Sequence, residues 1–472
     1  MHEPEATELQ PDVVLRDLFD QGLMVGERAR LDWPGGILIE GDHRDRSRVG
    51  RTRAAIEAGA DVLFEACFEE DDVFCAVDVL ERGATGWTLI EVKSSTGVKD
   101  VHLPDVAVQT HVVRRAGLPV TRMEVMHLNG DFRAPDVGPR FTRTDVTAKV
   151  EAMLPEVPAR IAEQVAVLRG ALPAHAVGSH CWNGADACAF FDRCWPADPD
   201  HIRHLWNVGG KRTIGWMQQG VTRMGELPAT ARLNPKQRRQ LTAQRENRLI
   251  VERELTRDIV PAVEARHLGF LDFETVARAI PSWNGLGPWR QTAAQFSYHE
   301  RDADGGVTHA EFLAEGPADP SNPPDDPREA IARAMLAASA NADRVVVYTH
   351  FEGTQIKQLA DQLPHLSRDL MALHARLWDI KPVISENVYH PDFRGSFSLK
   401  DITGPLTGLT YDDLVIVDGM VASAEIARLL FVSGRIPPTE RDRIRRDLLD
   451  YCERDTFATV RLVERLIALA TH

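Results

Sequence analysis

Asp272 and Glu274 are the residues whose type and spacing point most directly to chemistry. They follow an apolar run at residues 268–271, which predicts a buried strand. Because residues i and i+2 of a strand point to the same face, the two acids would project side by side. Like charges at that separation repel unless a cation lies between them, and oxygen-only ligation favours Mg2+ or Mn2+. We therefore expect a divalent metal site here, and two solvated acids at a strand end are the alternative that the short motif leaves open.

A second motif lies near the C-terminus, where Tyr451 and Asp455 stand four residues apart in a helical pattern and would share one helix face. An Asp-x-Glu strand far upstream of a Tyr-x-x-x-Asp helix resembles the DEDD exonucleases of the RNase H-like fold, in the variant that carries tyrosine. The resemblance covers residues 262–472. It implies a 3′–5′ exonuclease that uses two Mg2+ or Mn2+ ions.

The DEDD enzymes carry their third carboxylate, usually an aspartate, just after another buried strand. The apolar run at residues 344–348 predicts that strand, and Glu352 follows it. Asp361, on the helix expected next, is the alternative. The resemblance implies that Tyr451 orients the attacking water and that four carboxylates hold the two ions: Asp272, Glu274, Glu352 and Asp455.

A hairpin in the N-terminal third carries another set of polar residues. Residues 74–80 alternate as a strand does, residues 83–86 predict a turn, and residues 87–93 predict the partner strand. Asp78 lies on the first strand, while Glu91 and Lys93 share one face of the second. Asp78 and Glu91 would hold a metal, and Lys93 would offset the charge that develops on an attacked phosphate or help to position water. An exposed strand with a salt bridge is the alternative explanation of Glu91-Val92-Lys93 alone.

This Asp, then Glu-x-Lys, pattern resembles the PD-(D/E)XK nucleases and their RecB-like branch in particular. In that branch a Gln or Tyr follows on a helix, which implies a role for Gln109 within the helical residues 106–113. Glu27 lies where the branch often has an upstream His or acidic ligand. The resemblance implies a metal-dependent nuclease with a restriction-endonuclease-like fold.

Cys181, Cys188 and Cys194 lie within fourteen residues, which suggests a metal site in an intracellular protein. They resemble the C-terminal cysteines with which several RecB-like nucleases bind an iron–sulfur cluster. That resemblance implies a [4Fe-4S] cluster whose fourth ligand is an N-terminal Cys, but the sequence has no Cys before Cys67. A degenerate cluster, or a zinc site that includes His180, stays open.

Positive charge is concentrated between residues 201 and 250, which contain ten Lys or Arg against two acids. The segment is helical in pattern and has no catalytic constellation. We expect it to contact a nucleic-acid backbone, and a solvated helical linker is the alternative. The candidate phosphate contacts are Lys211, Arg212, Arg232, Lys236, Arg238 and Arg239.

The strands and helices expected around these residues indicate an α/β chain of several domains. A length of 472 residues allows two or three domains. We expect a RecB-like PD-(D/E)XK domain with its cysteines over residues 1–198, a basic helical linker over residues 199–258, and an RNase H-like mixed-sheet domain over residues 259–472. Amphipathic helices are predicted at residues 14–30 and 442–468.

Composition narrows the class of protein. The formal net charge of −15 argues against a large nonspecific nucleic-acid surface, but bound metal ions reverse the local field at acidic sites, so a nuclease is not excluded. No apolar run approaches the roughly 20 residues that cross a bilayer, so no membrane contact is expected. The start of the chain does not resemble a signal peptide, and six cysteines do not make a disulfide framework, which predicts a cytoplasmic location.

The sequence thus predicts a bifunctional metal-dependent nuclease that acts on nucleic acid, with DNA as the expected substrate. One rival is an enzyme with a single live site, in which the other site survives as a clamp. A second rival is a nonenzymatic nucleic-acid-binding module that keeps both folds, because a fold alone does not determine a function.

Overall fold

The structure is a computed structural model that describes all residues except 1, 2, 4, 43, 173, 175, 176, 182–187, 318, 320, 321 and 472. The chain is mixed α/β. It divides into two compact units. Unit 1 comprises Met1–Ala6, Gln10–Ala174 and Ala277–Gln291, and unit 2 comprises Thr7–Leu9, His175–Val276 and Thr292–His472.

Unit 1 is built on one mixed sheet of six strands among its described residues, in the order β1-β2-β3-β4-β5-β6. The strands are β1 (Ile37–Leu38), β2 (Val62–Glu70), β3 (Val73–Arg82), β4 (Trp87–Lys93), β5 (Val120–Leu128) and β6 (Phe141–Asp145). The helices are α1 (Val13–Ala29), α2 (Arg48–Glu57), α3 (His102–Arg115), α4 (Thr147–Met153) and α5 (Val157–Arg169).

The predicted hairpin is confirmed, because β3 pairs antiparallel with β4. Helix α3 then crosses over so that β5 pairs parallel with β4, as a βαβ connection does. The inner strands are largely apolar, and Leu80, Leu89 and Val125 are fully buried in one core. The sheet therefore fixes the positions of Asp78 within β3 and of Glu91 and Lys93 at the end of β4.

Glu65 has an unusual backbone conformation within β2. The pairing of β2 with β3 keeps one register from Phe64 opposite Val79 to Ala66 opposite Val77, which places Glu65 opposite Asp78, and Glu65 has a φ of 56°. A non-glycine residue in this left-handed region is uncommon and marks a local irregularity of the strand. This irregularity lies on the strand next to Asp78.

Unit 2 contains a second mixed sheet, of five strands in the order β10-β9-β8-β11-β12 among the described residues. Strand β9 is antiparallel to both of its neighbours, whereas β8, β11 and β12 run parallel. The strands are β7 (Ile250–Val251), β8 (Leu268–Val276), β9 (Thr292–Arg301), β10 (Val307–Leu313), β11 (Arg344–Val347), β12 (Leu377–Asp379) and β13 (Val388–Tyr389). The strands predicted around residues 268–274, 291–299, 307–312 and 344–348 are confirmed as β8, β9, β10 and β11.

The helices of unit 2 surround this sheet and precede it. They are α6 (Phe191–Cys194), α7 (Gly210–Gln218), α8 (Pro235–Glu246), α9 (Leu255–Asp258), α10 (Val260–Glu264), α11 (Arg328–Ala338), α12 (Phe351–Gln362), α13 (Ser367–His374), α14 (Lys381–Asn387), α15 (Leu399–Thr407), α16 (Gly419–Phe431) and α17 (Pro438–Ala470).

Helix α17 covers the face of β8 that matters most for the site. Its buried residues recur every three or four positions, which is the pattern of an amphipathic helix. Phe270 of β8 is fully buried in one core with Val460 and Val463 of α17. Asp272 has the same parity as Phe270 along β8, so its side chain projects from the α17 face of the strand.

The basic segment is a mixed part of unit 2. Helices α7 to α9 occupy much of it, but Ile250–Val251 forms a strand that pairs with Val388–Tyr389. Residues 175–258 group with the C-terminal sheet, and Ala277–Gln291, between β8 and β9, groups with unit 1. This division differs from the predicted boundaries at residues 198 and 258, because the predictions followed chain order and the contacts do not.

The described residues include no helix that combines the length and the apolar character needed to span a membrane.

Two glycines with the same backbone conformation give a test of the packing in unit 2. Gly395 and Gly408 both have a φ of 78°, where alanine costs about 1–2 kcal/mol. A Cβ on Gly395 would collide with the backbone carbonyl of His204, whereas a Cβ on Gly408 would meet nothing. We expect Gly395→Ala to lower the free energy of unfolding by about 1–3 kcal/mol more than Gly408→Ala, the usual cost of overpacking.

Urea unfolding of the two variants, followed by circular dichroism, measures this difference. Equal loss of stability in both variants would show that the chain near His204 does not pack against Gly395 as described.

Candidate functional site

Three predicted carboxylates meet in unit 2. Asp272 and Glu274 come from β8 and Asp455 from α17, and one carboxylate oxygen from each lies within 4.8 Å of the others. Glu274 and Asp455 are buried, and Asp272 is half-buried. The periodicities of strand and helix explain why these acids meet. Alternate residues of β8 project toward α17, and the residues on the inner face of α17 project toward β8. The geometry is that of a group able to hold a metal ion.

Glu352 belongs to the same electrostatic group. It lies in the first turn of α12, just after β11, and only 3% of its surface is exposed. Its Oε2 is buried and makes no hydrogen bond to the described protein atoms. Burial raises the pKa of Glu352 to about 8, and the charge of Asp379 adds to this. An orphaned carboxylate oxygen in this position fits a ligand for a cation. Asp361, the sequence alternative, is exposed.

Burial and mutual repulsion dominate the electrostatics of these acids. Burial raises the pKa of Asp272 and of Glu274 well above the ordinary range, and the charge of Asp455 raises both further. The pKa of Asp455 is raised by burial as well, against the hydrogen bond from Tyr411. Buried like charges remain ionised only if a cation joins them. The donor set is oxygen-only, so these residues fit Mg2+ or Mn2+.

Two tyrosines and a lysine complete the site. Tyr411 donates a hydrogen bond of 2.6 Å from its hydroxyl to Oδ1 of Asp455. Lys400 Nζ donates to the hydroxyl of Tyr451 over 3.0 Å. Burial raises the pKa of Tyr451, and the charges of Asp455 and Glu274 add to this, so the phenol keeps its proton. Tyr451 lies where the sequence predicted, whereas Tyr411 and Lys400 were not predicted as site residues.

No local signal identified Tyr411, which reaches Asp455 across 44 positions of the chain. Lys400 follows Ser398, which caps α15 by accepting a hydrogen bond from the backbone N–H of Asp401. An N-cap residue predicts where a helix begins, but it does not predict which residues the first turn of that helix will contact. These two contacts therefore depend on tertiary structure alone.

In unit 1 the predicted hairpin residues also come together. Oδ2 of Asp78 accepts a hydrogen bond of 2.7 Å from the backbone N–H of Val92, which places the acid between Glu91 and Lys93 on the next strand. Lys93 Nζ donates to Oε1 of Glu91 over 2.6 Å, and Gln109 Nε2 donates to Oε2 of Glu91 over 2.8 Å. One carboxylate thus receives a strand lysine and a helix glutamine.

Asp105, a residue that the sequence analysis missed, joins this group. It accepts hydrogen bonds from Lys93 Nζ over 2.9 Å and from Gln109 Nε2 over 3.3 Å. Its position is explained by helical spacing, since Asp105 and Gln109 are four residues apart on α3. Glu27, by contrast, is exposed on α1.

The pKa values of Asp78 and Glu91 are raised, as are those of the acids of unit 2. Burial also raises the pKa of Asp105, but its hydrogen bond with Lys93 and the charge of that lysine outweigh burial and lower it. Burial raises the pKa of Asp78 to about 6, against the hydrogen bond from Val92, and the charge of Glu65 raises it further. Burial raises the pKa of Glu91 well above its ordinary value, and the charge of Asp78 adds to this. Glu65 is thus a second acid that was not predicted as a site residue, and it lies opposite Asp78 in the register of β2 with β3.

The three clustered cysteines are free thiols. Cys181 is buried, Cys188 is exposed and Cys194 is half-buried. The six residues between Cys181 and Cys188 all lie outside the described part of the chain. Among the residues that are described, the three sulfurs do not form a common metal-ligand group. The iron–sulfur cluster stays a prediction.

The six basic residues differ in exposure. Lys211, Arg212, Arg232 and Arg238 are exposed. Lys236 is half-buried and donates to Oγ of Ser385 over 2.9 Å, and Arg239 is buried and donates to Glu252 over 2.7 Å. The exposed members are therefore the ones whose side chains lie open to a phosphate backbone, and contact with nucleic acid stays a prediction for all six.

Comparison with known proteins gives one partial match. The model of a family described as a domain of unknown function (DUF2779) matches residues 269–398. This span contains Asp272, Glu274 and Glu352 and ends before Tyr451 and Asp455. No curated protein and no solved structure matches the chain.

The raised pKa of Glu352 predicts a linkage between pH and stability in metal-free protein. The folded state keeps a proton that the unfolded chain releases above the ordinary pKa of 4.5, so the free energy of unfolding should fall as the pH rises toward about 8. Each proton kept in this way contributes up to about 1.4 kcal/mol per pH unit. Thermal melting in a chelator between pH 5 and 8 measures the slope.

Mn2+ should restore the stability lost at pH 8, because the cation replaces the retained protons. Glu352→Gln should flatten the slope in chelator, and Asp361→Asn, an exposed change on the same helix, should leave it unaltered. A melting temperature that rises with pH in chelator would contradict the electrostatic description.

Proposed function

We propose that unit 2 is a metal-dependent 3′–5′ exonuclease that hydrolyses phosphodiester bonds. The observation that carries this proposal is the convergence of Asp272 and Glu274 from β8 with Asp455 from α17, whose donor oxygens lie within 4.8 Å of one another. Acids that are buried together raise each other's pKa, and such perturbed groups mark functional sites.

The architecture of unit 2 supports the resemblance to DEDD enzymes. Strands β8 to β10 form an antiparallel run, and β11 and β12 add to β8 in parallel, which is a mixed sheet of the kind that an RNase H-like fold requires. The acids lie on β8, after β11 and on the last helix, in the chain order that the resemblance implies. The presence of Glu352 where the family usually has Asp is the departure from its pattern.

Each residue of the site has a role in this proposal. Asp272, Glu274, Glu352 and Asp455 would hold two Mg2+ or Mn2+ ions. When bound, such ions supply an activated water and stabilise the leaving oxygen. Tyr451 keeps its proton and orients the water by hydrogen bonding. Lys400 holds the Tyr451 hydroxyl at 3.0 Å and adds positive charge beside the scissile phosphate.

Replacement of Asp455 by asparagine should abolish hydrolysis while the fold is kept. The change preserves shape but removes one ligand charge, and we expect at least about a thousandfold loss of rate, within the range of single catalytic groups. Asp450→Asn, the same change on the exposed side of α17, is the matched control and should retain activity. Release of nucleotides from end-labelled single-stranded DNA and RNA with Mg2+ or Mn2+ measures both rates.

Activity of Asp455→Asn equal to that of Asp450→Asn would remove the exonuclease proposal. If the unmodified protein binds the strands and degrades neither, the nucleic-acid-binding module is the better description.

A second candidate function belongs to unit 1, and the contacts of Glu91 favour it. A RecB-like nuclease needs an acid pair with a lysine and a glutamine beside it, and Glu91 receives hydrogen bonds from both Lys93 and Gln109 while Asp78 reaches the same strand. The sheet supports the resemblance, since the acids lie on a β3–β4 hairpin followed by a parallel crossover. Asp78 and Glu91 would hold Mg2+ or Mn2+, and DNA is the proposed substrate.

Lys93 should be required for any cleavage that remains when the carboxylate site of unit 2 is disabled. In an Asp272→Ala background, Lys93→Ala should abolish the residual cleavage of linear DNA, because the phosphate loses its cationic partner. Lys99→Ala, an exposed lysine after the same strand, is the control and should change little. Equal cleavage by Asp272→Ala and by the double variant with Lys93→Ala would leave unit 1 without a live nuclease site.

A further inference from the structure

A second group of metal-ligating side chains lies on unit 2 apart from the four carboxylates of the proposed nuclease site. His299, His309 and Glu453 each offer one donor atom, and these atoms lie within 4.8 Å of one another. Two imidazoles and one carboxylate suit Zn2+ and related transition ions, whereas the carboxylate cluster has oxygen ligands only. We propose that His299, His309 and Glu453 form a transition-metal site that differs in ion preference from the proposed nuclease site.

The fold brings the three ligands together from three elements. His299 and His309 are direct cross-strand partners on β9 and β10. Their rings stack with centroids 4.5 Å apart at an interplanar angle of 30°. Glu453 reaches them from α17, with its Oε1 3.9 Å from Nδ1 of His309. A shared ion would therefore tie the outer hairpin of the sheet to the helix.

A chain of hydroxyls holds the other side of the two rings. Ser297 Oγ lies 3.0 Å from Nε2 of His309 and 2.7 Å from Oγ1 of Thr456. Thr456 Oγ1 in turn lies 2.9 Å from Nδ1 of His299. One nitrogen of each ring is thus engaged by a hydroxyl, and the other nitrogen, Nε2 of His299 and Nδ1 of His309, would be the metal ligand. Partners of this kind orient the histidines of metal sites and set their tautomers.

The state and exposure of the ligands suit metal binding. Burial lowers the pKa of His299 to about 4, so this ring is neutral at physiological pH, which is the form that binds metals. His309 and Glu453 are exposed, so an ion can reach them from solvent. A tetrahedral zinc site holds its donors about 3.3 Å apart, given bonds of about 2.0–2.1 Å. The three donors, which lie within 4.8 Å of one another, would close to that spacing around an ion, with water as the fourth ligand.

A zinc titration of the full chain tests the site directly. The protein is stripped with a chelator and titrated calorimetrically with Zn2+ in excess Mg2+, which occupies oxygen-only sites. Compared with the unmodified protein, His309→Ala should lose one bound equivalent or weaken it by at least about 100-fold, since even outer partners are worth about 10- to 100-fold. Glu453→Gln, which keeps the size of the side chain, should weaken the same equivalent.

His365→Ala is the matched control, because His365 is also exposed and also beside a carboxylate, Glu329, at 2.8 Å. It should bind as much Zn2+ as the unmodified protein. Zinc held by cysteines would persist in all variants and cancels from the comparison. The same number and affinity of zinc sites in the unmodified protein and in both His309→Ala and Glu453→Gln would overturn the proposal. The experiment measures zinc binding, so its result does not depend on nuclease activity.

Discussion

Repulsion between buried carboxylates is the interaction on which the arrangement of unit 2 depends. Asp272 and Glu274 project from β8 toward α17, and α17 projects Asp455 back at them. Each ionised carboxylate taken out of water costs several kcal/mol unless a partner offsets the loss. The hydroxyl of Tyr411 offsets part of this for Asp455. The apolar contact of β8 with α17 supplies the rest of the restraint, because the acids alone would push the two elements apart.

In unit 1 the cost of burying a carboxylate is offset in a different way. Its Glu91 is as deeply buried as the acids of unit 2, but Lys93 lies against it at 2.6 Å and also pairs with Asp105. Burial lowers the pKa of Lys93, but its ion pairs with Glu91 and Asp105 outweigh that effect and raise it. The carboxylates of unit 1 therefore have Lys93 as their cationic partner. In unit 2, Lys400 donates a hydrogen bond to the hydroxyl of Tyr451. The carboxylates of unit 2 therefore have the greater need of bound cations.

The parts of both sites that could be predicted from the sequence are those determined by short-range periodicity. An apolar run identified β8, alternation identified the first strand of the β3–β4 hairpin, and the helical repeat placed Tyr451 and Asp455 on one face of α17. Tyr411 and Lys400 were missed, because their contacts join segments with no shared pattern. Glu65 was missed for a different reason: it has a left-handed φ within a strand, which no alternation predicts. Unit boundaries were also beyond reach, since Ala277–Gln291 leaves β8 and groups with the other unit.

Helix α17 links the two groups of ligands in unit 2 through its own geometry. Asp455 and Glu453 are two positions apart, so they leave the helix on different sides, toward β8 and toward the β9–β10 hairpin. Thr456, the next residue after Asp455, bonds both Ser297 and His299. A shift of α17 along its axis would therefore disturb both groups at once. An ion held by His299, His309 and Glu453 would resist such a shift by fixing the helix to the hairpin. The transition-metal ion would then position a helix whose opposite residues are proposed to bind Mg2+ or Mn2+, and the nitrogen donors of one ligand set would distinguish it from the oxygen-only donors of the other.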